Sequence, residues 1–273
     1  MFRDGDGDRG SITVRTWKED QMATRYMIVC QARTGSTMLS TALQQHPEIC
    51  AHGEVLNARS DDNLEFYGLD YHHPGAIIDI LRAELWRAPD HYIDKYVFEC
   101  GRFKAAGFKF KYEELSNPLF HPARTYVMRN TNIRIIHMTR QNIWKRFLSE
   151  YIALNVTKAF NSTAEAIVVP STSFRIPVKA VEAALNKTVE WQDQMHRLFG
   201  RHQSIGVTYE DFSVDPDATF ARITDFLGVS RMEFRPSTKK IKSGKSPREL
   251  ILNYDEIVST FKGTPFEPMF SES

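Results

Sequence analysis

The sequence predicts an α/β protein, a mostly parallel central sheet flanked by helices, and three observations predict it. Short continuous apolar runs, Tyr26-Met27-Ile28-Val29-Cys30 and Ile133-Arg134-Ile135-Ile136-His137-Met138, read as strands buried on both faces. Between such runs lie segments whose apolar residues recur at helical spacing. The two kinds of segment alternate along the chain, which implies right-handed βαβ crossovers and hence parallel pairing.

Taken in order, the first strand starts after Arg25 and gives way at residues 31–36 to a turn containing glycine. A helix follows with Met38, Leu39, Ala42 and Leu43 on one face, and His46-Pro47 stops it because the residue before proline is pushed out of the helical region. A weak strand over Glu48 to Ala51 is expected next, then a helix from Ala76 to Trp86 carrying Ile77, Ile80, Leu81 and Leu85, and a strand around Phe103 to Tyr112. The strand at Ile133 leads into a helix from Asn142 through Leu154, repeating the first strand and helix. A long helix from Val178 to Phe199, a strand from Ser204 to Tyr209 and a helix from Asp217 to Leu227 closed by Gly228 complete the regular part. Residues 155–177, rich in Ser, Thr, Ala and Pro, read as a long mobile loop or lid, and 229–248 as a second irregular stretch.

With 273 residues the chain has room for one large or two small domains, and one is expected over 25–273, preceded by a flexible tail over 1–24. The tail holds Asp4, Asp6 and Asp8 at calcium-loop spacing, but Arg9 stands where that loop needs glycine and Arg15 where it needs a bidentate glutamate. Thirty-five Lys and Arg against thirty-four Asp and Glu leave a formal charge of +1, so no global field draws in nucleic acid or an anionic membrane, and any anion site must be local. Cys30, Cys50 and Cys100 are odd in number and far apart, without ligand spacing; they read as small buried apolar residues in a reducing compartment, against a disulfide framework or a structural metal. No run approaches the ~18 apolar residues of a membrane span, and a cytoplasmic location is expected.

The turn Arg33-Thr34-Gly35-Ser36-Thr37, between a buried strand and a helix, aims free backbone N–H groups and the positive end of the helix dipole at the space above the sheet. Gly35 lets the backbone come close, Ser36 and Thr37 add hydroxyls, and Arg33 adds a bidentate positive charge. Phosphate or sulfate suits such a site. It is not a Walker A loop, because GxxxxGK[ST] is absent.

The string from Cys30 to Leu39, followed by His46-Pro47 and Gly53-Glu54-Val55-Leu56-Asn57, resembles the 5′-phosphosulfate loop and following segment of sulfotransferases, most of all the bacterial carbohydrate sulfotransferases of the nodulation-factor type. Gly107 to Tyr112 is similar to that family's internal strand, and Lys239 to Lys245 with Asn253 to Glu256 to its C-terminal loop and helix. The resemblance runs from about Arg25 to Ile257. It implies a nucleotide-kinase-like fold and 3′-phosphoadenosine-5′-phosphosulfate (PAPS) as donor, held by Arg33, Thr34, Gly35, Ser36 and Thr37 at the 5′ side, by Arg140 and Ser149 at the 3′-phosphate, and by Lys242. Ser149 lies nine residues after Arg140 where the family spacing is often eight, so the hydroxyl partner is less defined than the arginine.

Sulfuryl transfer needs a general base beside the glycine loop and positive donors around the leaving oxygen. Glu54 follows the second strand, where open α/β sheets bind ligands; in a site dominated by positive charge it is expected to stay ionised, with partial burial raising its proton affinity toward a useful range. His52 competes for the role; the resemblance favours Glu54. Lys109 is a third candidate contributor, sharing a strand face with Lys111 while Phe108 and Phe110 face the other way, although a lysine pair of this kind commonly marks a solvated edge. No metal is expected, and His72-His73 reads as loop surface. The implied partner is a hydroxyl-bearing acceptor, a saccharide, glycolipid or small metabolite. A small-metabolite kinase of related fold and a non-catalytic anion-binding module are the alternatives; magnesium dependence would mark the first, and a carboxylate beside the anion loop speaks against the second.

Overall fold

The computed structural model describes residues 23–56, 64–67, 76–157, 173–235 and 245–271. Asp4, Asp6 and Asp8, His72-His73, residues 158–172 of the expected lid, and Lys239, Lys240 and Lys242 lie outside the described residues.

Five parallel strands form one sheet: β1 (Thr24–Cys30), β2 (Ile49–Ala51), β3 (Ala105–Lys111), β4 (Arg134–Thr139) and β5 (Ser204–Thr208), in the order β2-β3-β1-β4-β5. Helices α1 (Ser36–Gln44), α2 (Ala76–Arg87), α3 (Pro89–Tyr92), α4 (Tyr112–Leu115), α5 (His121–Arg129) and α6 (Ile143–Tyr151) are followed by α7 (Val178–Phe199), α8 (Tyr209–Val214), α9 (Pro216–Leu227), α10 (Pro247–Leu250) and α11 (Tyr254–Thr260). π-helical turns extend α3 through Ile93–Phe98 and α6 through Ile152–Thr157. The predicted fold class is the one found.

Alternation along β1 explains why the sheet is covered on both sides. Met27 and Val29 pack with Phe108 and Phe110 against Leu81, Tyr92, Val127 and Phe199. Tyr26, Ile28 and Cys30 face the other way, onto Leu39 and Leu43 of α1 and Phe220 and Ile223 of α9. A third cluster joins Trp144 and Phe147 of α6 to Val181 and Leu185 of α7 and Tyr254 and Ile257 of α11. No helix among the described residues is long and apolar enough to cross a membrane.

Strand order positions the site. The chain leaves β1 towards β2 on one side, and after β3 it crosses back over β1 to β4 and β5 on the other. A crevice opens at such a reversal, beyond the carboxyl ends of the strands, so the segments after β1 and β4 meet there.

Three expectations are corrected. The end of the expected lid is tied down: Phe174 N–H donates to Leu250 O at 2.9 Å, Leu252 N–H returns a bond to Phe174 O at 2.9 Å, and Ile176 is fully buried. Second, α10 starts at Pro247, inside the stretch read as irregular, because Ser246 and Glu249 form a capping box. Third, Cys50 and Cys100 form a disulfide with Cα atoms 6.2 Å apart, whereas Cys30 is free and buried. The excursion through α2, α3 and the π-helical turn brings the chain back beside β2, so separation in sequence does not separate the sulfurs in space. Helix α5 was not foreseen; of its nine residues only Ala123 and Val127 are buried, too few for a visible apolar stripe.

Candidate active site

The glycine loop joins β1 to α1. Gly35 takes φ 88°, and a Cβ there would stand 2.9 Å from the Tyr209 ring, so both backbone conformation and space require glycine. Arg33 also has positive φ, 68°, a conformation that costs a side-chain-bearing residue about 1–2 kcal/mol and that tertiary contacts must hold. They do: Arg33 Nε donates to Ser149 Oγ at 3.1 Å. Thr34 is buried, and its hydroxyl closes the loop on itself by donating to Gln31 O at 2.8 Å.

Arg140 leaves the end of β4 and stacks over the Tyr209 ring, 4.6 Å from its centroid. Burial lowers its pKa, and the charges of Arg33 and Arg146 push the same way. Arg146, fully buried in α6, was not singled out from the sequence. It donates to Ala32 O at 3.2 Å and pairs with Glu150 at 2.9 Å, so it braces the loop from below. The available signal was a charge among the buried residues Ile143, Trp144, Phe147 and Leu148 of α6. Nε of Arg140 and Nε of Arg146 are buried without a hydrogen-bond partner. Three guanidiniums around one loop, two of them with an orphaned donor, suit a polyanion.

On the other side of the loop the β2–β3 ladder runs past Ala51: His52 N–H donates to Gly107 O at 2.8 Å and Lys109 N–H to Gly53 O at 3.0 Å. Glu54 therefore emerges beside the Lys109–Lys111 face of β3. Lys109 Nζ lies 2.8 Å from Glu54 Oε1 and Lys111 Nζ 2.5 Å from Oε2. Lys109 also donates to Thr37 Oγ1 at 3.4 Å, which joins this group to the glycine loop. β3 is an interior strand and Lys109 is only 3% exposed, so the pair is not a solvated edge. Glu54 N–H donates to Glu65 Oε2 at 2.9 Å, and a Cβ on Gly53 would come within 1.9 Å of that oxygen.

Burial pushes the Glu54 carboxyl upward, but the charges of Lys109 and Lys111 outweigh it and hold the group at about 2. This reverses the direction expected from burial alone. His52 points away from the group. Tyr67 N–H donates to its Nδ1 at 2.8 Å, so the proton sits on Nε2 and is donated to Val97 O at 3.1 Å. Burial lowers this imidazole to about 4. Nε2 also lies 3.4 Å from both Cys50 and Cys100 sulfurs. Cys50, His52 and Cys100 thus form a cluster of metal-ligand type that sequence spacing did not reveal; as bonded, it is a disulfide against a histidine N–H and offers no thiolate.

The loop, Arg140 and the carboxylate–lysine group lie beyond the carboxyl ends of parallel strands, where open α/β sheets bind ligands, and the cluster of positive charge suits an anionic one. A profile of the sulfotransferase family matches residues 26–233, and the chain belongs to that family. Over 255 residues it is 20% identical to nodulation protein H of Rhizobium meliloti, an alignment covering 90% of this chain and 94% of that protein. It shares its fold with the sulfotransferase of Alicyclobacillus acidocaldarius, with a TM-score of 0.51 at 20% identity, over 90% of this chain and 93% of that one.

Proposed function

We propose that the protein transfers the sulfuryl group of PAPS to a hydroxyl of a saccharide or glycolipid, with Glu54 as general base. The observation that carries this reading is the Glu54 carboxylate gripped by Lys109 and Lys111, with Lys109 reaching Thr37 of the anion loop. An anion-binding module has no use for a buried carboxylate there, since it would repel the ligand.

The 5′-phosphosulfate lies on Arg33, Ser36, Thr37 and the first-turn amides of α1; the 3′-phosphate takes the buried donor of Arg140. The acceptor oxygen attacks sulfur as its proton passes to Glu54. The bond from sulfur to the 5′-phosphate oxygen breaks, and its electron pair leaves on adenosine 3′,5′-bisphosphate. Lys109 and Arg33 stabilise the charge developing there. In the resting site both Glu54 oxygens are occupied by ammonium groups. An arriving sulfonate competes for Lys109 and raises the proton affinity of Glu54 towards that of a working base. The saccharide assignment rests on the resemblance of Gly53 to Asn57 to carbohydrate sulfotransferases.

The test is ligand-induced thermal stabilisation followed by transfer. Adenosine 3′,5′-bisphosphate should raise the melting temperature in chelator and ATP much less, because a ligand that binds only the native state stabilises it by mass action. Labelled sulfate should move from PAPS to a member of a mono- and oligosaccharide panel in chelator. Stabilisation by ATP and magnesium alone would replace this reading with the kinase.

A further inference from the structure

Glu114 has no part in the reaction as written, yet its side chain is only 8% exposed and lies against the base group. Its Oε2 accepts the Lys111 N–H at 3.0 Å, closing the capping box that starts α4. Its Oε1 has no hydrogen-bond partner and lies 3.4 Å from Lys111 Nζ. That ammonium therefore stands between two carboxylates, Glu54 at 2.5 Å and Glu114 at 3.4 Å. The charged groups acting on Glu114 are Lys111 and Lys109 from β3 and Glu54 from the segment after β2. Its neighbour Glu113 accepts from Ala32 N–H at 3.4 Å; its charge also acts on Lys111, and burial raises its own carboxyl.

We propose that Glu114 and Lys111 form a positioning pair for the base: when Glu114 is ionised it draws the Lys111 ammonium away from Glu54 and frees a Glu54 oxygen for the acceptor proton. The inference rests on Glu54 being the base. A lysine on a flexible stem can swing between two acceptors whose distances differ by less than the width of an atom. Burial raises the Glu114 carboxyl to about 7, against the pull of Lys111 and with the help of the Glu54 charge. Below neutrality Glu114 is uncharged and Lys111 belongs to Glu54 alone; above it two carboxylates share two ammoniums. Turnover rises with pH through that ionisation.

The test is the pH dependence of turnover between about 5.5 and 9, measured as sulfate transfer from PAPS to whichever saccharide of the panel the wild type modifies. The wild type should rise about tenfold through an inflection near neutrality, and Glu114→Gln should lose the inflection and stay at the low plateau. Glutamine keeps the capping acceptor, so α4 is preserved. Lys111→Arg should retain the inflection and Lys111→Met should abolish it. A second readout needs no turnover: the difference between wild-type and Glu114→Gln infrared spectra, which cancels the Glu113 carboxyl that burial also raises, should show a protonated-carboxyl band that vanishes with a midpoint near 7. An unmoved inflection in Glu114→Gln, or no such band in the difference, would overturn the proposal. Full turnover in Glu54→Gln would instead overturn the assignment of the base.

Discussion

The two halves of the site solve the same problem, holding charge at the end of a sheet, in different ways. The half proposed to bind the donor is made of backbone amides and arginines; its loop is contiguous from Cys30 to Leu39, and Arg140, Arg146 and Ser149 reach it from β4 and α6. Arg33 is anchored on Ser149, Arg146 on Ala32 O and Arg140 on a ring face. The half proposed to supply the base is made of the lysines of β3 with carboxylates from the segment after β2 and the start of α4, paired with one another. An arginine keeps its charge at any working pH and suits a permanent anion site; lysine–carboxylate pairs can be rearranged by a ligand or a proton. On the proposed reading, the side that binds the donor carries fixed charge, and the side that exchanges a proton is built from groups whose protonation can change.

The comparison breaks most visibly at Glu54. Glu54→Gln should lower kcat by about 10²–10⁴ while adenosine 3′,5′-bisphosphate affinity holds, since the donor half is untouched. His52→Gln should lower the melting temperature while transfer persists, because both ring nitrogens serve backbone groups. Kinetics and thermal melts on the two variants separate these outcomes.

Reducing the Cys50–Cys100 disulfide should loosen the side of the site that carries Glu54 and leave the anion loop unchanged. The disulfide closes a segment of 50 residues, so stability by denaturant titration should fall by about 2–4 kcal/mol, with donor affinity by calorimetry unchanged. Equal loss of donor affinity would show that the two halves are not independent.

Arg140→Ala tests the donor half. Preference for adenosine 3′,5′-bisphosphate over the 5′-monophosphate should drop by about 1.5–3 kcal/mol, the worth of one charge-assisted contact, with kcat at saturating donor changed less. The smallest effect is one that vanishes at neutral pH. His52 and His137 are both lowered by burial to about 4, so the folded protein resists their protonation and should lose stability as pH falls from 6.5 to 4. Glu54, held at about 2, adds stability above 4.5 that is lost only as pH falls from there towards 2. Unfolding midpoints across that range check both signs.

Legibility in the sequence followed locality. The glycine loop could be read because strand, turn and helix are consecutive, and Glu54 because it closely follows a strand. Glu54's true environment could not: partial burial alone predicts a raised proton affinity, and only the β2–β3 register brings two lysines against it. Arg146 is one charge on an otherwise buried helix face, a pattern that names no partner until the loop is seen above it. The disulfide was missed for the same reason, since a separation of 50 residues hides that the chain returns to the edge of β2.

Periodicity and turn chemistry act over a few residues, so the sequence by itself determined the alternating strands and helices, the parallel sheet they imply, and the anion loop at the end of β1. Charge pairing acts through space. The tertiary structure alone decided which lysine faces which carboxylate, which way His52 turns, and that Arg33, Arg140 and Arg146 gather around one loop. These depend on strand order and register, which long-range packing of the two sheet faces sets and no short segment encodes.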